Sequence, residues 1–352
     1  MSAPVVVVGT GRCGSTLISE MMRAHPRVLS VSEFFSFITD LGALIPEAFP
    51  TAPLTGAEFW RILAGCHPRQ NLLLRHGLRM DEVLFPPPER RDLIEAGVPA
   101  LLLTTLPHLS DDPEALFAAL EAEIRTWPEA PVGDHYRALF ADLQRRLDRA
   151  IWVERSGGTL RIAHRLRETF PEARFVHVVR DGRNTAISMS RHVGFRMALI
   201  HFQLLELLGV DPFRDDDRSE LEDLSDELAA LLPEEFSAKA FWSYDLAPSI
   251  CGHYWAGEVR DGLAALASLA PERLLTICYE ELLERPRETV TRLGAFLDLG
   301  APDPRWIAAS TAMIGQGRSD WRALPDRARR DLDEACAPGF AALADAGIGD
   351  YT

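Results

Sequence analysis

The chain has 352 residues, 47% of them hydrophobic and 25% charged. That is ordinary globular composition, which excludes wholesale disorder and leaves room for more than one minimal domain. The formal net charge of −15 excludes a protein that coats nucleic acid, since such proteins are normally basic.

In chain order, Val5-Val6-Val7-Val8 is a short β-branched run ending at Gly9. A run apolar on both faces suits a buried strand of a parallel sheet. A helix is expected over 16–24. Residues 150–155 and 174–180 read as two more strands, each followed by a helical segment, and 274–279 reads as a fourth. Strands alternating with helices predict an α/β fold with a central parallel sheet. Two long stretches interrupt the alternation. Residues 34–149 carry helical patterns at 57–65, 112–125 and 134–149 and a proline break at Pro86-Pro87-Pro88, and residues 193–250 form a second insert. Within the second, 211–235 holds 11 acidic residues and two arginines, the pattern of a solvated face or lid.

No stretch approaches the roughly 20 apolar residues of a membrane helix. The N-terminus lacks the basic region of a secretory signal. Cys13, Cys66, Cys251, Cys278 and Cys336 are scattered, without a C-x-x-C pair. These features predict a reduced, cytoplasmic protein with no cysteine-based metal site. Of the 37 basic residues only Lys239 is a lysine. Base composition is the plain cause, but it leaves arginine, the bidentate binder of planar oxyanions, to hold any anion.

After the first strand come Gly9-Thr10-Gly11-Arg12-Cys13-Gly14-Ser15-Thr16 and then a helix. Strand, glycine-rich loop and helix make an anion cradle: glycines let backbone N–H groups turn inward and the helix N-terminus adds its dipole. Against the G-x-x-x-x-G-K-[ST] pattern, Gly9, Gly14 and Thr16 fit, but Ser15 stands at the lysine position and the charge sits at Arg12. A triphosphatase needs that lysine on its terminal phosphates beside magnesium. The loop therefore suits a phosphate better than a magnesium triphosphate. A second strand–turn–helix follows: Val178-Val179-Arg180-Asp181-Gly182-Arg183, with Ser188 on the helix. Arg180 and Ser188 could converge on one phosphate, and two such sites suit a ligand with two separated anionic groups.

This pair of motifs resembles the P-loop-fold sulfotransferases that use 3′-phosphoadenosine 5′-phosphosulfate (PAPS). The first loop looks like their 5′-phosphosulfate loop and the second like their 3′-phosphate motif. The arginine in the loop, with Ala24-His25-Pro26 and Ser32-Glu33 beyond it, is nearest the bacterial and tyrosylprotein branches. The resemblance covers residues 4–37, 150–192 and roughly 250–322 and leaves the two inserts uncovered. It implies that Gly11, Arg12, Cys13, Gly14, Ser15 and Thr16 bind the 5′ side of the nucleotide and Arg180 and Ser188 the 3′-phosphate. It further implies Glu33 as general base, Arg12 and Arg155 as the catalytic cations, Tyr279 near the adenine, and Arg318 and Trp321 in a loop closing over the 3′-phosphate. Relatives often carry a basic residue just before that tryptophan. Here it is Asp320, which leaves Arg318 or Arg322 to supply the charge.

Plainer readings stand beside these. Glu33 could cap a helix starting at Phe34, Arg155 could pair with an acid, and Arg183 could pair with Asp181. Cys13 stands where a serine is common and is read as inert, reactivity being the alternative. His25 is read as a turn residue, His177 as buried and hydrogen-bonded, and Trp255 and Trp306 as core. Phe34, Phe35, Phe37, Phe59, Trp60, Phe195, Phe202, Phe241, Trp242 and Tyr244 are either core or the wall of an acceptor pocket. The expectation is one domain over 1–352, with 34–149 and 193–250 as mainly helical insertions forming acceptor pocket and lid. The expected activity is metal-free sulfuryl transfer from PAPS to a partly apolar small-molecule hydroxyl acceptor, releasing adenosine 3′,5′-bisphosphate. A P-loop kinase or nucleotide hydrolase, or a catalytically silent nucleotide-binding protein, is the alternative. The sequence does not disclose the oligomeric state.

Overall fold

The computed structural model describes residues 3–215, 224–315, 320–349 and 351. Five strands form one parallel sheet: β1 (Val5–Gly9), β2 (Val28–Ser32), β3 (Ile151–Arg155), β4 (Arg174–Val179) and β5 (Leu274–Cys278), in the order β2-β3-β1-β4-β5. The valine run is therefore the central strand, paired in parallel with β3 on one side and β4 on the other. Successive side chains point to opposite faces. Val6 and Val8 join a large core with the helices of 34–149, while Val5 and Val7 pack with Ile18, Met21 and Met22 of α1 (Ser15–Arg23).

The strands expected near 5–8, 150–155, 174–180 and 274–279 are present, and so are the helices expected at 16–24, 57–65, 112–125 and 134–149, within a few residues at each end. The strand that escaped is β2. Its sequence, Val28-Leu29-Ser30-Val31-Ser32, is broken by two serines, yet all five residues are buried. The Ser30 hydroxyl lies 2.9 Å from that of Ser19 on α1, so its polar group is satisfied inside the layer. The long helical stretch thus runs between β2 and β3.

Each strand ends at the same edge of the sheet, the carboxyl edge where α/β folds bind ligands. The turn after β1 leads to α1, Glu33 follows β2 and starts α2 (Phe34–Ile38), and Arg155 closes β3. Arg180 follows β4 and leads into α3 (Gly182–Ser190), and Tyr279 follows β5. The helices α4 (Val193–Leu208) and α5 (Pro248–Leu266) reach over that edge, and α6 (Asp326–Asp345) packs behind α5. No helix among the described residues is long and apolar enough to cross a membrane.

Trp255 and Trp306 are core, as expected, with the Trp306 indole donating to the Met21 carbonyl. His25 sits at the turn before β2, where its Nδ1 accepts from the Arg27 amide. His177 departs from expectation. It is buried on β4, but neither ring nitrogen has a hydrogen-bond partner among the described residues. Burial pushes its pKa down to about 4, so the ring is neutral at ordinary pH and packs as an apolar plate.

Candidate active site

The loop after β1 is bent by left-handed residues: Gly11 has φ 75°, Arg12 φ 54° and Gly14 φ 94°. Glycine is needed at two of these for a second reason. A Cβ on Gly11 would lie 2.3 Å from the Phe195 ring, and one on Gly14 would lie 2.3 Å from the Tyr279 ring. The amides of Arg12, Gly14 and Thr16 donate to no protein oxygen among the described residues, and Ser15 and Thr16 open α1. A cradle with spare N–H groups at a helix N-terminus fits a phosphate. The Cys13 side chain turns inward, is fully buried, and its thiol is pushed up by that burial. It is therefore a protonated core thiol, which matches the inert reading.

Arg12 links the two phosphate motifs. Its Nε donates to the Ser188 hydroxyl at 3.2 Å, and Arg180 Nη1 donates to the Arg12 carbonyl at 3.1 Å. The Arg180 guanidinium lies 5.0 Å from the Tyr279 ring centre, so Tyr279 touches both motifs. Both members of the predicted pair thus contact Arg12, Arg180 at its backbone carbonyl and Ser188 at its side chain. The other Arg12 nitrogen, Nη1, donates to Glu82 at 3.2 Å, and Glu82 also accepts from His192 Nε2 at 3.1 Å. Burial alone would raise the Glu82 pKa, but the His192 hydrogen bond and the charges of His192 and Arg12 outweigh it and hold the pKa down to about 2.

Beside this lies a buried ion pair. Glu33 is the N-cap residue of α2, with φ 55°, but its side chain makes no cap. One carboxylate oxygen accepts from Arg155 Nη1, and the other accepts from the Gly157 amide at 2.8 Å. Arg155 Nη2 donates to the Ser32 hydroxyl at 2.7 Å. The strand register sets this up, because β2 and β3 pair Ser32 with Arg155. The two plainer readings resolve together: Glu33 occupies the cap position without capping, and the acid that pairs with Arg155 is Glu33 itself. Beneath them Glu154 is fully buried and receives the Ser156 hydroxyl. Burial above all, with the charge of Glu33 adding, pushes the Glu154 pKa up to about 8.

Around the end of β4, Arg183 is paired with Asp181 at 2.6 Å and Asp333 at 3.1 Å, as its plainer reading had it, and stacks on Trp321 at 4.1 Å. The Trp321 amide donates to Asn184 at 3.1 Å, and the Arg322 guanidinium lies over the same indole. Arg318 lies outside the described residues, as do residues 216–223 of the acidic segment 211–235.

The loop, through Gly11, Arg12, Ser15 and Thr16, lines one open cavity together with Glu33, Arg155, Glu82 and His192. Of the candidate aromatic residues, Phe35, Phe37 and Phe195 reach it, whereas Phe34, Phe59, Trp60 and Phe241 are core. Sequence reasoning missed Glu82, His192, Arg161, Tyr254 and the Gly157-Gly158 turn. That glycine pair, directly after a predicted strand, was the one available signal.

A parallel sheet whose central strand turns through glycines into a helix N-terminus, with arginines at neighbouring strand ends, defines a phosphate-loop α/β protein. Within that class, the model of the sulfotransferase family (Sulfotransfer_3) matches residues 4–238, well over half of the chain. The chain belongs to the sulfotransferase family, which implies an enzyme of PAPS-dependent sulfuryl transfer. No curated protein matches. Among solved structures, a sulfotransferase domain from the curacin biosynthetic pathway is 14% identical, with TM-score 0.49 over 99% of each chain. One from the Synechococcus PCC 7002 olefin synthase is 16% identical, with TM-score 0.48 over 96% of this chain and 95% of that one. A sulfotransferase from Alicyclobacillus acidocaldarius is 16% identical, with TM-score 0.41 over 99% and 98%.

Proposed function

We propose that this protein transfers the sulfuryl group of PAPS to a hydroxyl of a small, partly apolar acceptor, with Glu33 as general base, in the manner of the arginine-loop bacterial branch. The observation that carries this is the meeting, at one cavity, of the cradle after β1 and the buried Glu33–Arg155 pair. The donor supplies the sulfuryl group: a bond forms from the acceptor oxygen to sulfur, the bond from sulfur to the 5′-phosphate oxygen breaks, and adenosine 3′,5′-bisphosphate leaves.

In this reading the amides of residues 11–16, Cys13 included, hold the 5′-phosphate, with Gly11 and Gly14 shaping the turn and Ser15 and Thr16 opening the helix. Arg12 and Arg155 face the oxygens where charge builds, the preorganised electrostatics that do most of the work in such transfers. Arg180 and Ser188 hold the 3′-phosphate. Tyr279 and Trp321 flank the nucleoside, with Arg318 or Arg322 completing the closing loop. Glu33 takes the acceptor proton. An ionised carboxylate offers about four lone-pair sites, and Arg155 and Gly157 use two, so Glu33 remains able to accept a hydroxyl while held in a fixed orientation. The whole chain acts as one domain, and the inserts 34–149 and 193–250 build the acceptor pocket. Support for this comes from Phe37 and Met80 of the first and Phe195 of the second, which share the cavity wall.

The test is thermal. Adenosine 3′,5′-bisphosphate without magnesium should raise the melting temperature, since a ligand at about 100 times its Kd adds roughly 2.7 kcal/mol. Stabilisation only by ATP with magnesium would make the protein a kinase or hydrolase instead.

A further inference from the structure

Among the described residues, the cavity wall holds one arginine that the proposed transfer does not use. Arg161 sits in the short turn Thr159–Ile162 after Gly157-Gly158. Its guanidinium lies 5.3 Å from the Phe202 ring centre and 6.0 Å from that of Tyr254. Nη1 reaches toward Gly42, 3.2 Å from where a Cβ there would stand. Its acidic neighbour, Glu258, is 3.7 Å away, an ion pair too long for a hydrogen bond.

Comparison with other interior arginines shows how unusual this is. Arg155 is held by Glu33 and Ser32. Arg69 is held by Asp40 and Asp211. Arg196 donates to three backbone carbonyls, those of Ser190, Phe241 and Tyr244. Arg161 has two rings beside it, Phe202 and Tyr254, and no hydrogen-bonded carboxylate among the described residues. Burial pushes Glu258 up to about 7, despite Arg161. Near neutral pH that carboxyl is therefore partly protonated and neutralises Arg161 incompletely.

Arg161 also stands apart from the transfer site. From the phosphate loop the wall runs through Phe195, which packs on Gly11, to Tyr254, 6.2 Å from Phe195, and then to Arg161. The remaining wall toward Arg161 is mostly apolar, with Phe37, Leu41, Ile45, Ile162 and Ala198, and the hydroxyls among them, Ser36, Thr39 and Thr159, donate to backbone carbonyls.

We infer that Arg161 is an acceptor-binding residue that receives a carboxylate, so that the acceptor is a hydroxy acid with an apolar body between its hydroxyl and its carboxylate. A single guanidinium fork matches a carboxylate in shape and charge. A phosphate dianion beside Glu258 would need a second cation, and among the described residues lining the cavity Arg12 and Arg155 are committed at the other end. This rests on the proposed transfer for its orientation, because Glu33 sets where the hydroxyl goes.

The experiment measures binding by calorimetry, with adenosine 3′,5′-bisphosphate present, for straight-chain ω-hydroxy acids of graded length and their methyl esters. At the best length the acid should bind wild-type protein about tenfold or more tightly than its ester, as expected for a charge-assisted hydrogen bond. Arg161→Gln should bring acid and ester together, and Arg161→Lys should keep part of the gap. Equal binding of acid and ester to the wild type would overturn the inference, whatever the variants do, and so would an unchanged preference in Arg161→Gln. Turnover separates this from the proposed function. Sulfation of neutral alcohols with no acid preference would leave the transfer standing and remove the carboxylate site. An Arg161-dependent acid preference with no sulfation of any acceptor would do the reverse.

Discussion

The two sides of the sheet's carboxyl edge are built differently. At the ends of β2 and β3, Glu33 and Arg155 are buried and paired with each other, Ser32 and Gly157 make further hydrogen bonds to them, and only the Arg155 Nε lacks a partner among the described residues. At the end of β4, Arg180 is half-buried, donates to one backbone carbonyl and lies over Tyr279, and among the described residues it has no carboxylate partner. A buried ion pair contributes little net stability but strongly fixes position, because removing either member strands the other. An arginine without an acid keeps its charge available for a ligand. In the proposed transfer, the difference separates a region that orients groups for chemistry from one that waits for an anion.

The largest effect should come from breaking the paired side. Glu33→Gln keeps the shape and removes both the proposed base and the negative charge. Turnover should fall by about 10²–10⁴-fold, while adenosine 3′,5′-bisphosphate still binds. The melting temperature should fall as well, because Arg155 loses its counter-charge; breaking a buried pair costs about 3–5 kcal/mol. Full turnover in this variant would take Glu33 out of the mechanism and leave the pair a purely structural one.

The second effect belongs to Glu154, under the same pair. Its carboxyl has an ordinary pKa of 4.5 unfolded and about 8 folded. Between those values the folded chain keeps a proton that the unfolded chain releases, so stability is fully present below about 4.5 and declines as pH rises toward 8. Glu154→Gln removes that decline. Its stability relative to wild type should grow by roughly 1 kcal/mol per pH unit across the window, read from melting curves at several pH values. Parallel curves for the two proteins would show that Glu154 is not held protonated.

What could be read in advance follows the same division. Four of five strands were legible because each is dominated by apolar, β-branched and aromatic residues, and both proposed phosphate motifs were legible because glycine and arginine sit at fixed distances from a strand end. Strand β2 was not, since Ser30 and Ser32 break its pattern, and their burial is made tolerable by tertiary contacts, Ser30 with Ser19 and Ser32 with Arg155. The Glu33–Arg155 contact was not legible either. Both residues were singled out, but their pairing depends on β2 lying next to β3, a register that separate segments do not disclose. Glu82 and Arg161 come from a proline-broken loop and a short turn, where no periodicity marks which side chain turns inward. The proposed acceptor half of the cavity is therefore a product of tertiary packing, whereas the proposed nucleotide half is largely written in local sequence.

The smallest of these effects tests the open side. Arg180→Ala removes one charge-assisted hydrogen bond to the proposed 3′-phosphate, worth about 1.5–3 kcal/mol, and should weaken adenosine 3′,5′-bisphosphate binding by roughly 10–100-fold. The variant also loses the contact with the Arg12 carbonyl and the stacking on Tyr279, so weaker binding alone does not identify the phosphate concerned. Adenosine 5′-monophosphate, which lacks the 3′-phosphate, supplies the second leg of a cycle. Wild-type protein should prefer the bisphosphate, and Arg180→Ala should lose most of that preference while both ligands share the cost of a disturbed loop. If the preference survives intact, the 3′-phosphate is held elsewhere, and the unpaired charge at the end of β4 serves the loop carbonyl instead of the ligand.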